Sequence, residues 1–327
     1  MIISRTPVRI TLGGGGTDLA SYYSQYGGFL VAATINKYIY VTVNKHFEDK
    51  YRISYSKTEL VNQPKEIQHP IVRESLSLLD INGGLEITTV ADVPAGTGLG
   101  NSSSFAVGLL NVLHTYKREA VGLKDLAEEA CRLEIEILQE PIGKQDQYVA
   151  AFGGITCLTF EKNGEVIVEP LDLPPDTVDE LERHLMFFYT GITRRAAGVL
   201  TEQKKASEQN NSKVIESLHI IKNIGYETKK VLQSGDTYYF GELLDEHWQT
   251  KKKLSGKVSN PDIDRWYEIA KANGAVGGKI MGAGGGGFFM FFVDGHRNGL
   301  REAMEKEGLR EVRFKFEPQG TKIIVNL

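Results

Sequence analysis

The sequence predicts an α+β protein of two domains, on three observations. Apolar residues alternate near the N-terminus, helical patterns are interleaved with strand-like runs through the first half, and the chain closes in the order strand, helix, strand, strand. A length of 327 residues suits about two domains with substantial cores. Pro174 and Pro175 interrupt the pattern, so the boundary is placed near residue 180, giving domains 1–180 and 181–327.

Val8, Ile10 and Leu12 alternate with Arg9 and Thr11, the period of a strand with one buried face. Strand-like runs follow at 29–44, 51–55 and 85–91. A helix over 103–116 carries Ala106, Leu109, Leu110 and Leu113 on one side, and another is expected over 123–139. Runs at 153–160 and 164–171 read as strands up to the proline pair. Beyond it come a strand at 185–189, long polar helices through 204–254 and a helix at 263–273. A strand at 288–293, a helix at 297–307 and strands at 311–316 and 321–326 close the chain.

The 38 Lys and Arg against 42 Asp and Glu leave a formal net charge of −4, which supplies no electrostatic footprint for nucleic acid or an anionic membrane. Cys131 and Cys157 are the only cysteines and lack metal-site spacing, so a disulfide framework is not expected and a reducing compartment is. No run approaches the length of a membrane span and no signal-like apolar segment opens the chain, so a cytoplasmic enzyme is expected.

Chemistry concentrates in glycine. The run PAGTGLGNSSS at 94–104 lies between a predicted strand and a predicted helix. There glycines let backbone approach an anion, serines add donors, and the helix N-terminus adds partial positive charge. It is not the Gly-Lys-Ser/Thr phosphate loop, since no lysine occurs between Pro94 and Tyr116, and it fits the dinucleotide fingerprint poorly. Two further clusters, Gly13 to Gly16 before Thr17 and Asp18, and KIMGAGGGG at 279–287, are expected to converge with it on one cleft.

On these three segments the chain resembles the GHMP kinases, the superfamily of galactokinase, homoserine kinase, mevalonate kinase and phosphomevalonate kinase. The resemblance implies an N-terminal α/β domain like one in a ribosomal protein, with a left-handed crossover, and a ferredoxin-like C-terminal domain. It also implies ATP and Mg2+. Pro94, Gly96, Gly98, Leu99, Gly100, Asn101, Ser102, Ser103 and Ser104 would hold ATP, and Ser103 and Glu134 the metal. Asp146 would act as the base and Arg9 would stabilise charge on the moving phosphoryl group. Gly15, Gly16, Thr17, Asp18, Gly284 and Gly285 would meet the sugar, and Arg194 is proposed for a substrate phosphate because it follows a glycine-containing turn.

Glu134 has a second argument. Leu123, Leu126, Ala127, Ala130, Leu133, Ile137 and Leu138 form one helical stripe with Glu134 near its centre, whereas Glu136 projects elsewhere. A carboxylate on such a stripe needs a metal or a cationic side chain as partner.

Within the superfamily, GGGGTD at 13–18, EPIGKQDQ at 140–147, TGITR at 190–194 and HWQTKKKL at 247–254 are similar to the heptose kinases. That likeness implies phosphorylation of the C1 hydroxyl of D-glycero-D-manno-heptose 7-phosphate to the 1,7-bisphosphate, towards nucleotide-activated heptose for surface polysaccharide. The alternatives are an anomeric kinase for L-fucose or an unphosphorylated heptose, and a non-catalytic sugar sensor on the same scaffold. The expected partners are a sugar phosphate and ATP.

Overall fold

The alternation at the N-terminus is realised as β1 (Ile2–Gly13), which buries Val8, Ile10 and Leu12 in the core and turns Arg9 and Thr11 to the opposite, also covered, face. The structure is a computed structural model and describes residues 1–193, 197–209 and 211–327. After β1 come α1 (Ala20–Tyr26), β2 (Gly28–Lys45), β3 (Tyr51–Ser54), β4 (Thr58–Val61), α2 (Pro70–Leu78), β5 (Leu85–Ala91) and α3 (Asn101–Lys117). α4 (Leu123–Cys131) runs into a π-helical turn at Arg132–Ile137, followed by α5 (Gln145–Phe152), β6 (Ile155–Phe160), β7 (Val166–Pro170) and α6 (Pro175–His184). The second half holds β8 (Leu185–Tyr189), α7 (Ala197–Glu208), α8 (Ser212–Ser234), α9 (Thr237–Lys251) and α10 (Pro261–Ala272). It ends with β9 (Ala275–Ile280), β10 (Phe288–Val293), α11 (Arg297–Lys306), β11 (Arg310–Glu311) and β12 (Lys322–Asn326).

The first sheet has the order β12-β1-β2-β5-β3-β4, with β6 and β7 branching from β2. The branch exists because β2 is long. Gly28 to Ala33 pair with β6, and Ile39 to Lys45 pair with β5. The second sheet has the order β11-β8-β10-β9, antiparallel throughout. Counted within that sheet the order is fourth, first, third, second, the ferredoxin-like arrangement, and the two sheets give the α+β class. β8 and β10 are covered on both faces: Phe288, Met290 and Phe292 enter the large core that continues under the first sheet, while Phe289, Phe291 and Val293 join Trp248 and Tyr267 on the other side. That explains an unbroken apolar run where alternation would otherwise be expected.

Several elements differ from the sequence reading. α1, α2, α5 and α6 are short helices with too few turns to set a period, and β9 reads as a loop because of Gly277 and Gly278. A Cβ on Gly277 would lie 2.1 Å from the Gly241 carbonyl, so α9 packs on β9 backbone to backbone. The expected strand at 311–316 survives only as Arg310–Glu311, because the chain then leaves for the first sheet, where Phe316 bridges Ile35. β12 completes that departure by pairing with β1, so the last strand closes the first sheet rather than the layer of 181–327. Among the described residues no helix is long and apolar enough to cross a membrane.

Candidate active site

Residues 92–100 join β5 to α3. Thr97 Oγ1 donates to the Pro94 carbonyl at 2.9 Å and Asn101 Nδ2 to the Val93 carbonyl at 3.0 Å, which ties the loop to itself at both ends. Gly100 enters α3 with φ 78°, leaving the first-turn amides of Ser102 and Ser103 at a helix N-terminus suited to an anion. Leu99 and Ser104 instead anchor the loop to β1: the Leu99 carbonyl accepts from the Arg9 amide at 3.0 Å, and Ser104 Oγ donates to the Pro7 carbonyl at 2.9 Å.

The same strand brings in a guanidinium. Arg9 Nε and Nη2 donate to the two carboxylate oxygens of Asp146, each at 2.7 Å, and Nη1 donates to the Gly98 carbonyl at 2.6 Å. Arg9 is almost fully buried, while the Asp146 side chain stays 23% exposed, so the pair is fixed from below and open on one side. Asp146 stands in the first turn of α5, within contact of Gly100, where a Cβ would lie 3.1 Å from Asp146 Oδ2.

Gln145 carries the arrangement to the loop at 13–18. Its Nε2 donates to Asp146 Oδ1 at 3.2 Å, its Oε1 accepts from Thr11 Oγ1 at 2.6 Å, and its backbone N–H donates to Asp18 Oδ2 at 3.3 Å. Asp18 Oδ1 accepts from the Gly16 amide at 3.1 Å. Burial first, and the Asp146 charge second, push the Asp18 carboxyl up, against backbone hydrogen bonds that hold it down. Thr17 is fully buried and its hydroxyl bonds the Gly14 and Phe29 carbonyls, at 2.8 and 3.0 Å, so it shapes the loop.

Glu134 lies inside, and Glu136 is exposed. The turn that carries Glu134 is π-helical, with the Leu138 amide bonded to the Leu133 carbonyl at 3.0 Å. The widened turn ends the predicted stripe early: Leu126, Ala127, Ala130 and Leu133 are buried, whereas Ile137 is exposed; Leu123, at the other end, is exposed as the first residue of α4. Glu134 Oε1 accepts from Ser102 Oγ at 2.8 Å and Oε2 from Gln147 Nε2 at 2.6 Å. Burial pushes its carboxyl up to about 7, although hydrogen bonds from Ser103, Ser102 and Gln147 hold it down. Among the described residues no Lys or Arg pairs with it, and Gln147 Oε1 beside it is buried without a partner. A buried carboxylate next to the α3 N-terminus with no cationic side chain suits a hard divalent cation. Among the described residues no cluster of three or more His, Cys, Asp or Glu could hold a metal ion.

The third glycine cluster does converge, through residues other than those expected. A Cβ on Gly98 would lie 2.5 Å from the Met281 carbonyl, one on Gly282 2.6 Å from Gly98 Cα, and one on Gly287 2.2 Å from the Thr97 carbonyl. Gly284 and Gly285 face Val258 instead, with the Gly285 amide on its carbonyl at 2.7 Å. Lys251 donates to the carbonyls of Ile280 and Gly282, while Lys252 lies over the Trp248 ring and Lys253 is exposed. Arg194 and Arg195 lie outside the described residues. Sequence reasoning missed Gln145, Gln147, Gly282 and Gly287; the first two flank Asp146, and that adjacency was the available signal.

Two family models match the chain, GHMP kinases N terminal domain over residues 66–154 and GHMP kinases C terminal over residues 228–310. The chain is 35% identical to D-glycero-alpha-D-manno-heptose 7-phosphate kinase of Campylobacter jejuni, across 98% of each chain. It is 28% identical to L-fucokinase/L-fucose-1-P guanylyltransferase of Bacteroides fragilis, over 88% of this chain and 34% of that protein. Among solved structures, a D-glycero-D-manno-heptose 1-phosphate kinase from Bacteroides thetaiotaomicron superposes with a TM-score of 0.82 at 28% identity, covering 100% of both chains.

Proposed function

The chain belongs to the GHMP kinase family and is an ATP-dependent sugar kinase, and on that premise we propose that it phosphorylates the anomeric C1 hydroxyl of D-glycero-D-manno-heptose 7-phosphate. The observation that carries the proposal is the position of Asp146, gripped by Arg9 and set between the phosphate loop at Gly98 and Gly100 and the loop at 13–18. A group there reaches both the phosphoryl donor and the acceptor hydroxyl. An anomeric hydroxyl is more acidic than an ordinary alcohol, so a carboxylate can take its proton as the oxygen attacks phosphorus.

Phosphoryl transfer asks a protein chiefly for positioning and charge neutralisation. The amides of residues 96–103 cradle the phosphates of ATP, Arg9 faces the charge that develops on the transferred group, and Asp146 orients the hydroxyl and receives its proton. Ser103 and Glu134 would hold Mg2+, which would supply positive charge to neutralise the phosphates. Asp18, Gly15 and Gly16 face the sugar. Arg194 is the proposed partner of the 7-phosphate, since a fork-shaped guanidinium suits a phosphate.

The experiment is ADP release across a panel of D-glycero-D-manno-heptose 7-phosphate, the corresponding 1-phosphate, unphosphorylated heptose, L-fucose and galactose. The proposal expects the highest kcat/KM for the 7-phosphate. Preference for L-fucose or unphosphorylated heptose overturns the substrate assignment, and no ADP release with any sugar points to a sensor.

A further inference from the structure

Lys279 is only 2% exposed, and its amine meets no carboxylate among the described residues. Its Nζ donates to the Leu12 carbonyl at 3.2 Å and to His247 Nδ1 at 2.9 Å. One side chain on β9 therefore ties α9, through a histidine that is itself 2% exposed, to the last turns of β1. Leu12 is the root of the loop at 13–18. Burial, then the charges of Lys251 and Arg9, push the Lys279 amine well below its usual value, and a methionine of similar length would fill the same space without burying a polar group. The amine is retained where the two halves of the molecule meet, and its hydrogen bonds to Leu12 and His247 are what it adds there.

We propose that Lys279, held by His247, is a positioning residue that fixes the loop at 13–18 against Asp146, and so governs affinity for the sugar substrate and not for ATP. The inference rests on reading that loop as the sugar-facing one. The second half meets the loop elsewhere too: Gln203 Nε2 donates to the Gly16 carbonyl at 3.2 Å, and a Cβ on Gly13 would lie 2.4 Å from Thr228 Oγ1. These grip the loop along its length, whereas Lys279 bonds the strand end from which it springs. Burial, then the charges of Lys279 and Lys251, push the His247 imidazole well below its usual value, so the ring is neutral. A neutral ring offers Nδ1 as acceptor only with its proton on Nε2, which is buried without a partner. The histidine thus gives up one hydrogen bond to hold the lysine in place.

Steady-state kinetics of the wild type, Lys279→Met, His247→Leu and His247→Gln test this, with sugar phosphate and ATP varied in turn. Lys279→Met and His247→Leu are expected to raise KM for the sugar phosphate at least tenfold, with KM for ATP within twofold. His247→Gln keeps an oxygen acceptor for the Lys279 amine and should stay within threefold of wild type. A tenfold change corresponds to about 1.4 kcal/mol, the scale of one hydrogen bond. An unchanged sugar KM in Lys279→Met, or a parallel rise in both KM values, overturns the inference. If Lys279→Met does not fold, the histidine pair decides, and equal sugar KM values for His247→Leu and His247→Gln overturn it. A wild type that phosphorylates no sugar sinks the reading of the loop itself, an outcome distinct from active but unaltered variants.

Discussion

Arg9 holds Asp146 by both carboxylate oxygens at 2.7 Å and spends its third nitrogen on the Gly98 carbonyl, so the proposed base and the phosphate loop share one guanidinium. Asp146→Asn keeps an oxygen for Arg9 but cannot take a proton. Turnover is expected to fall about a hundred- to ten-thousand-fold with ATP affinity little changed. Near wild-type kcat in this variant, measured beside ATP binding by calorimetry, would remove Asp146 from the role.

Glu134 and Glu136 differ in what surrounds them, not in chemistry. Glu134→Gln should raise the magnesium concentration needed for half-maximal turnover at least tenfold, because a sparse site loses its one carboxylate. Glu136 is exposed, and Glu136→Gln should leave that requirement within twofold. Magnesium titrations of both variants check this, and equal sensitivity would show that the metal does not sit at Glu134.

The Glu134 carboxyl, pushed up to about 7 by burial, also links stability to pH. Between its unfolded value near 4.5 and its folded value near 7, the native state keeps a proton that the unfolded chain has shed. That contribution to stability is complete below about pH 4.5, is lost as pH rises to about 7, and is flat above, at up to about 1.4 kcal/mol per unit of difference. Melting curves of metal-free protein from pH 5 to 8 should show wild type losing stability relative to Glu134→Gln across this window. Parallel curves would contradict the assignment.

Gly98 meets the second half of the molecule through backbone alone. Its φ of +80° and the 2.5 Å that would separate a Cβ from the Met281 carbonyl make Gly98→Ala doubly unfavourable. A loss of roughly 2–3 kcal/mol is expected, seen as a Tm lower by about 5 °C, together with at least a tenfold fall in kcat/KM for ATP. Gly256→Ala, with no atom within 4 Å of the new Cβ and no left-handed φ, is the matched control. Equal behaviour of the two would mean that the contact is not needed.

Much of this was legible in the chain. Val8, Ile10 and Leu12 announce their strand, and the alternation itself puts Arg9 on the other face. The meeting of Arg9 with Asp146 was not written locally, because the two lie 137 positions apart; it came through resemblance. Glu134 is buried as the helical stripe implied, yet the stripe fails at Ile137 because a π-helical turn, which leaves no sequence period, intervenes. Lys279 follows two glycines and reads as loop, so its burial emerges only when α9 is seen packed on them. The destination of β12 was equally hidden, since a strand's own residues do not say that it pairs with Ile2 to Arg5 at the far end of the chain.

In the proposed reaction a sugar already carrying one phosphate receives a second at its anomeric carbon. The direct measurement is phosphorus and proton NMR of the product formed from ATP and D-glycero-D-manno-heptose 7-phosphate. Two sugar phosphorus signals are expected, the new one coupled to the anomeric proton. A new phosphate coupled to any other carbon-bound proton, or no second phosphate while ATP is turned over with another sugar, would contradict it.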